Sequence, residues 1–123
     1  MSEARALKFR QAAFSYLLVG VLYESAVWVV WRQGLLPAGR GPVALWLLLG
    51  AAITALVVWS LWHFQKAWIA QVVFVLHALR LPTLIAGAFF PAADARIPPG
   101  FFGVALAIVI INLWMLARAG WDL

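Results

Sequence analysis

Long apolar stretches separated by short breaks dominate the chain. A helix needs about 20 mainly apolar residues to cross the hydrocarbon of a bilayer. Four stretches meet this requirement: Gln11–Trp31, Val43–Trp62, Trp68–Phe90 and Gly100–Ala117. The first break, Gly34–Pro42, and the third, Pro91–Pro99, contain proline and glycine, which interrupt helices. The second break, His63–Lys66, is a short polar turn. We therefore predict an all-α integral membrane protein, a single domain over residues 1–123, with four transmembrane helices in an up-down-up-down bundle and both termini on the same side.

The composition supports this class. Hydrophobic residues make up 67% of the chain and charged residues 11%, with a mean hydropathy of +1.00. A soluble domain is about a quarter charged, so a soluble fold is excluded. Because cysteine is absent, a disulfide scaffold and a cysteine-based metal or redox site are excluded as well. We expect the lipid bilayer to surround the chain and lipid to be bound to it.

Tryptophan and basic residues predict how the helices sit in the membrane. Tryptophan prefers the boundary between headgroups and hydrocarbon, and all eight lie near predicted span ends: Trp28, Trp31 and Trp46 on one side, Trp59, Trp62, Trp68, Trp114 and Trp121 on the other. These form a predicted aromatic belt. The side that holds the termini carries more basic residues than the opposite side. The termini side carries Arg5, Lys8, Arg10, Lys66 and Arg118, and the opposite side carries Arg32, Arg40 and Arg96.

Short loops rich in lysine and arginine stay in the cytoplasm, so both termini are predicted to be cytoplasmic, in a bacterial inner membrane. Residues Met1–Arg10 would form a short cytoplasmic arm. The apolar stretch that follows is too long for a signal-peptide core, and no small-x-small cleavage site precedes Arg32. Because the basic residues are spread over two membrane faces, the net charge of +5 does not indicate nucleic-acid binding.

Two charged residues of opposite sign lie deep in the predicted spans. At about 1.5 Å per residue, Glu24 lies about 20 Å from the inner end of the first span, and Arg80 about 18 Å from the inner end of the third. A charge at this depth is costly unless it is paired, so we predict a buried Glu24–Arg80 ion pair or a substrate site. Pro82 is expected to kink the third span and to free a carbonyl near Ala78, to which Arg80, His77 or a water would donate.

A second polar layer is predicted nearer the inner side. By helix rise, His77 and Thr54 lie about 12–14 Å from the inner ends of their spans, and Asn112 lies about 8 Å from the inner end of its span. Such side chains bridge helices, although His77 also suits proton transfer, because imidazole titrates near neutral pH. A further alternative makes His77 the axial ligand of a haem or chlorophyll. Small residues four apart, Gly50 with Thr54 and Gly103 with Ala107, favour close helix packing within the chain or between chains.

No motif indicates catalysis. H-E-x-x-H, G-x-S-x-G and phosphate-binding glycine patterns are missing from the sequence. We therefore expect neither an enzyme nor a cofactor or metal ion. Our first expectation is a non-catalytic subunit or accessory protein of a larger membrane complex. The alternatives are a small homodimeric proton-coupled transporter of cations or metabolites that uses Glu24, and a pigment- or lipid-binding membrane module.

The surroundings of Glu24 carry a family resemblance. Tyr16 precedes Glu24 by eight residues, and the basic residue Arg32 follows it by eight. With its length and four spans, the chain resembles the small multidrug resistance transporters. The resemblance implies that Glu24 is the shared proton- and cation-binding carboxylate of an antiparallel homodimer, with Tyr16 and Tyr23 in the cavity. The third span departs from the family pattern, because Gln71–Arg80 contains neither a Gly-x-Gly motif nor a tryptophan.

Overall fold

The computed structural model describes residues 3–34, 42–91, 93 and 97–123. Within these residues the only regular elements are five helices joined by short turns and irregular segments: α1 (Glu3–Arg32), α2 (Val43–His63), α3 (Ala67–Ala78), α4 (Leu81–Phe89) and α5 (Pro99–Trp121). α1, α2, α5 and the combined stretch of α3 and α4 are each long and apolar enough to cross a membrane. The all-α class and four candidate spans are therefore confirmed. Most of the first predicted break, including Arg40, and part of the third, including Arg96, lie outside the described residues.

The third span is broken in the middle rather than continuous. α3 ends at Ala78, and Leu79 and Arg80 form a turn before α4 begins. Pro82 explains the break, because it has no N–H to donate to the carbonyl of Ala78 and its ring crowds the preceding turn. The backbone N–H of Arg80 donates to the carbonyl of His77 at 3.1 Å, which is the tighter spacing of a 3₁₀ turn. The kink predicted at Pro82 is thus confirmed, and the helix breaks just before the proline.

α1 begins earlier than the first predicted span. It starts at Glu3, so the segment predicted as a separate arm forms the first turns of the helix. Phe9 in this segment is completely buried. It packs in a cluster of buried residues from four helices, which is made of Phe9, Ala12, Ala13, Leu61, Ala70, Val73, Leu116 and Ala119. We call this cluster the terminal core, because it lies at the end of the bundle where the chain starts and finishes.

Polar contacts also join the helices at this end. Lys8 Nζ donates to Asp122 Oδ1 at 2.9 Å, so the start of α1 and the end of α5 are adjacent. The side chain of Gln71 donates to the carbonyl of Gly120 at 2.9 Å, which ties α3 to α5. The two chain ends therefore lie at the same end of the molecule, next to the end of α2 and the start of α3.

The helices form a row more than a closed ring. α5 packs against α1, α3 and α4, and α1 packs against both α5 and α2. α2 and α3, by contrast, make few contacts with each other. Because α2 and the third span make so few contacts among the described residues, a gap remains between them beyond the terminal core.

Two glycines allow α1 and α2 to approach closely. A Cβ atom built on Gly20 of α1 would lie 2.5 Å from Cγ2 of Thr54, and one built on Gly50 of α2 would overlap Oε1 of Glu24. Each glycine therefore receives a side chain of the opposite helix. Gly50 and Thr54, the predicted small pair of the second span, both serve this internal contact. Gly103 does not, because a Cβ atom there meets nothing within 4 Å.

Candidate functional site

A cavity of about 680 Å³ occupies the gap between α1, α2 and the α3–α4 turn. Along α2 it extends from Val43 to Thr54, which is about 16 Å by helix rise. Its walls are largely apolar, and six polar side chains line it: Tyr16, Tyr23, Glu24, Thr54, His77 and Arg80. The structure thus brings together every predicted site residue except Asn112. We call this space the central cavity. The terminal core lies beyond the end of this cavity that is nearest the chain termini.

Glu24 belongs to α1 and lines the part of the cavity next to α2. Its carboxylate occupies the space beside Gly50 in which any larger residue would have a side chain. The side chain is only partly buried, and it makes no hydrogen bond or ion pair with another described residue. The carboxylate is therefore held in place by packing against α2 and remains open to a ligand in the central cavity.

Arg80 reaches the central cavity from the α3–α4 turn. Its guanidinium carbon lies 5.1 Å from the centre of the Tyr23 ring, a cation–π contact. Such a contact leaves the N–H groups in the plane of the guanidinium free to donate hydrogen bonds. The turn caused by Pro82 places Arg80 at the cavity instead of along the side of a continuous helix.

The predicted ion pair between Glu24 and Arg80 is not formed, and this prediction is wrong. No nitrogen of Arg80 lies within 4.0 Å of an oxygen of Glu24 in the described structure. The reason lies in α1, where consecutive side chains point about 100° apart. Tyr23 faces Arg80, whereas Glu24 faces Gly50 on α2. Among the described residues, neither Arg80 nor His77 donates to the carbonyl of Ala78, and a water as its donor stays a prediction.

His77 is the most deeply buried polar group of the cavity. It is 3% exposed, and its ring packs edge-on against Tyr16 with 5.4 Å between the ring centres. Neither ring nitrogen meets strict hydrogen-bond geometry among the described residues, but the side chain of Asn112 lies next to the ring, and its buried Oδ1 is likewise without a partner there. Buried polar groups are nearly always paired with protein or ordered water, so Asn112 is the nearest partner for one ring nitrogen, and the other nitrogen indicates a position for a water or a ligand group. His77 as a haem or chlorophyll ligand stays a prediction.

The predicted polar layer is formed in part, because Asn112 lies beside His77 while Thr54 faces Gly20 of α1. Asn112 is completely buried, and its amide donates to Ser15 Oγ at 3.0 Å, which links α5 to α1. Thr54 instead packs against Gly20, and it lines the central cavity together with His77. Asn112 therefore bridges α5 and α1 and also borders His77, whereas Thr54 and His77 line the cavity itself.

Sequence reasoning missed that Gly50 positions Glu24, although a signal was present. In two antiparallel helices joined by a short link, residues at equal distance from the link lie opposite each other. Glu24 and Gly50 lie eight and seven residues from the ends of α1 and α2 that face the link, and Gly20 and Thr54 lie twelve and eleven. Both pairs were therefore predictable from the hairpin alone.

No protein-family model, curated protein or solved structure matches the chain. Because function resides in sites rather than folds, the side chains of the central cavity carry the functional argument. The resemblance to small multidrug resistance transporters stays a prediction. Glu24 and Tyr16, the two residues on which it depends most, do line one cavity.

Proposed function

We propose that this chain is a small transporter of the membrane, which binds a small solute in the central cavity. The observation that carries the proposal is the pair of opposite charges that share the cavity without touching. Charged groups within a membrane are costly and usually mark substrate or ion pathways. Glu24 and Arg80 lack each other as partners, so a bound solute is the natural partner for both.

The shape and lining of the cavity support a ligand site. Its volume of about 680 Å³ lies within the range of about 300–1,000 Å³ that small-molecule sites cover. Such sites combine apolar walls with a few polar groups that fix the orientation of the ligand. Here the hydroxyls of Tyr16, Tyr23 and Thr54 and the ring of His77 supply those groups next to the two charges.

The position of the terminal core favours access from one side. It fills the bundle at the end that holds the termini, whereas the cavity reaches the first turn of α2 at the other end. In a bacterial inner membrane with both termini on the cytoplasmic side, as the basic residues favour, the cavity opens toward the outer side of that membrane. All eight tryptophans are exposed, as the proposed aromatic belts require. Transport would then need the terminal core to open.

A second candidate function is a subunit of a larger complex, and Gly103 favours it. A side chain at this position would meet nothing within 4 Å, and Ala107 one turn later is exposed. Small residues at this spacing let another helix approach closely. Gentle extraction followed by native mass spectrometry tests this function, because a subunit is recovered with stoichiometric larger partners. Recovery of the chain alone or as a homodimer would contradict it.

A ligand screen tests the transport proposal. The full chain is purified in detergent, and its unfolding temperature is measured with a panel of cations, anions, amino acids and sugars. Binding to the folded state raises the unfolding temperature by mass action. We expect at least one class of compound to raise the unfolding temperature of the chain. Glu24→Gln should remove this stabilisation. Asp122→Asn, which removes a carboxylate outside the cavity, should keep it. Uptake of the same compound into proteoliposomes then tests transport. The absence of any stabilising compound would contradict the proposal.

A further inference from the structure

We propose that the ligand of the central cavity is a zwitterion, a molecule with a primary ammonium group, an acidic group and an apolar body. The ammonium would bind Glu24, and the carboxylate or phosphate would bind Arg80. This inference rests on the proposed function and specifies its substrate class. Free apolar amino acids and the headgroups of phosphoethanolamine lipids share this chemistry.

Charge balance selects this class over singly charged ligands. A cation in the cavity neutralises Glu24, but it is repelled by Arg80 and leaves that guanidinium unpaired. An anion has the opposite defect, because it leaves Glu24 without a partner. A molecule that carries both charges satisfies both groups and brings no net charge into a low-dielectric region, where unpaired charge is most costly.

The two charges are fixed on separate surfaces of the cavity. The carboxylate of Glu24, on α1, packs against Gly50 of α2, and the guanidinium of Arg80 lies over the ring of Tyr23. The two groups would have to leave these contacts to neutralise each other. A zwitterion that lies between them meets an acceptor at one end and an array of donors at the other.

The remaining lining fits the rest of such a molecule. Apolar side chains of α1 and α2, including Val27, Leu47 and Ile53, form walls for an apolar body. The end of the cavity nearest the terminal core presents Tyr16 and the ring of His77, which Asn112 borders from α5. His77 can hydrogen-bond to either end of the ligand or to a water beside it, since a neutral imidazole is both donor and acceptor.

Calorimetric titration of the detergent-solubilised full chain tests the inference with analogues that lack one charge. Leucine and phenylalanine represent free zwitterions, and lysophosphatidylethanolamine represents the lipid headgroup. The amides of the two amino acids keep only the ammonium, their N-acetyl derivatives keep only the carboxylate, and lysophosphatidylglycerol keeps only the phosphate charge. We expect a zwitterion to bind at least tenfold more tightly than its singly charged analogues.

The outcomes separate the sources and the hypotheses. Binding of the amino acids identifies a free solute, and binding of lysophosphatidylethanolamine identifies a lipid headgroup. Equal or tighter binding of a singly charged analogue would overturn the inference, and so would failure of every zwitterion to bind. In either case a compound of another class that stabilises the chain would leave the proposed function intact, so the two failures are distinguishable.

Charge variants provide a second readout. Glu24→Gln is expected to abolish the preference for a zwitterion over its N-acetyl analogue, and Arg80→Gln the preference over its amide. Arg10→Gln is the matched control, because Arg10 also lies over an aromatic ring, 5.5 Å from the centre of Trp62, but outside the cavity. Unchanged preferences in both cavity variants would overturn the inference. If a variant does not fold, the analogue series on the unmodified chain still decides.

Discussion

Substitution of Gly20 by alanine tests how closely α1 and α2 pack. The added Cβ would lie 2.5 Å from Cγ2 and 2.8 Å from Oγ1 of Thr54, well inside van der Waals contact. Thr54 is β-branched and stiff about its first side-chain torsion, so it cannot turn away freely and the helices must separate. Overpacking of this kind costs about 1–3 kcal/mol. The gain from replacing glycine by alanine within a helix, up to about 1 kcal/mol, offsets part of this cost.

Gly103→Ala is the matched control, because its Cβ would meet nothing within 4 Å. We expect this variant to be as stable as the unmodified chain or slightly more stable. Reversible unfolding of both variants in mixed micelles, followed by circular dichroism, measures the difference. Thr54→Ala should restore stability to Gly20→Ala, since it removes the two atoms that clash most. Equal stability of Gly20→Ala and Gly103→Ala would refute the close packing of α1 against α2.

Three further predictions concern the cavity and the end that holds the termini. Gly50→Ala displaces the flexible end of Glu24, so ligand affinity measured by calorimetry should fall about tenfold, with little change in stability. Unchanged affinity would contradict the proposal that Gly50 positions the carboxylate of Glu24. Phe9→Ala should lower the unfolding free energy by about 3–5 kcal/mol, as for other buried phenylalanines, and a loss below about 1 kcal/mol in micelle unfolding would mean that the terminal core is not packed as described. The hydrogen bond and positive charge of Lys8 hold the pKa of the Asp122 carboxyl below its usual value. The contact between Lys8 and Asp122 therefore stabilises the fold above about pH 4, near the usual pKa of an aspartate. This stabilisation is lost as the pH falls through the lowered pKa of the folded protein. Asp122→Asn should therefore lower the unfolding temperature slightly at pH 7 but not at pH 2, and a difference that persists at pH 2 would exclude this origin.

Much of the fold was predictable from the sequence because the membrane constrains it strongly. Backbone polar groups must be satisfied within each span, so apolar length alone predicts helices. Pro82 likewise predicted the interruption of the third span from covalent structure alone. The terminal core was not predictable in the same way. Phe9 lies among charged residues near the start of the chain, and only tertiary packing reveals that it is buried.

The site was predictable in its membership but not in its internal contacts. Depth along the helices brought Glu24 and Arg80 to the same level, and the structure does place both on one cavity. Depth says nothing about the direction of a side chain around its helix. The faces that Tyr23 and Glu24 present depend on how the other helices are arranged around α1: Glu24 faces Gly50 of α2, and Tyr23 faces Arg80 of the third span. An ion pair was therefore predicted where two separate charged groups exist.

A double-mutant cycle on Glu24 and Arg80 tests this separation most directly. Unfolding free energies are measured without ligand for the unmodified chain, Glu24→Gln, Arg80→Gln and the double variant. Because each group lacks a charged partner, we predict that neither single change is strongly destabilising and that the two effects add within about 0.5 kcal/mol, as for independent sites. A loss of about 3–5 kcal/mol in each single variant, largely restored in the double variant, is the signature of a buried ion pair and would contradict a cavity with two open charges.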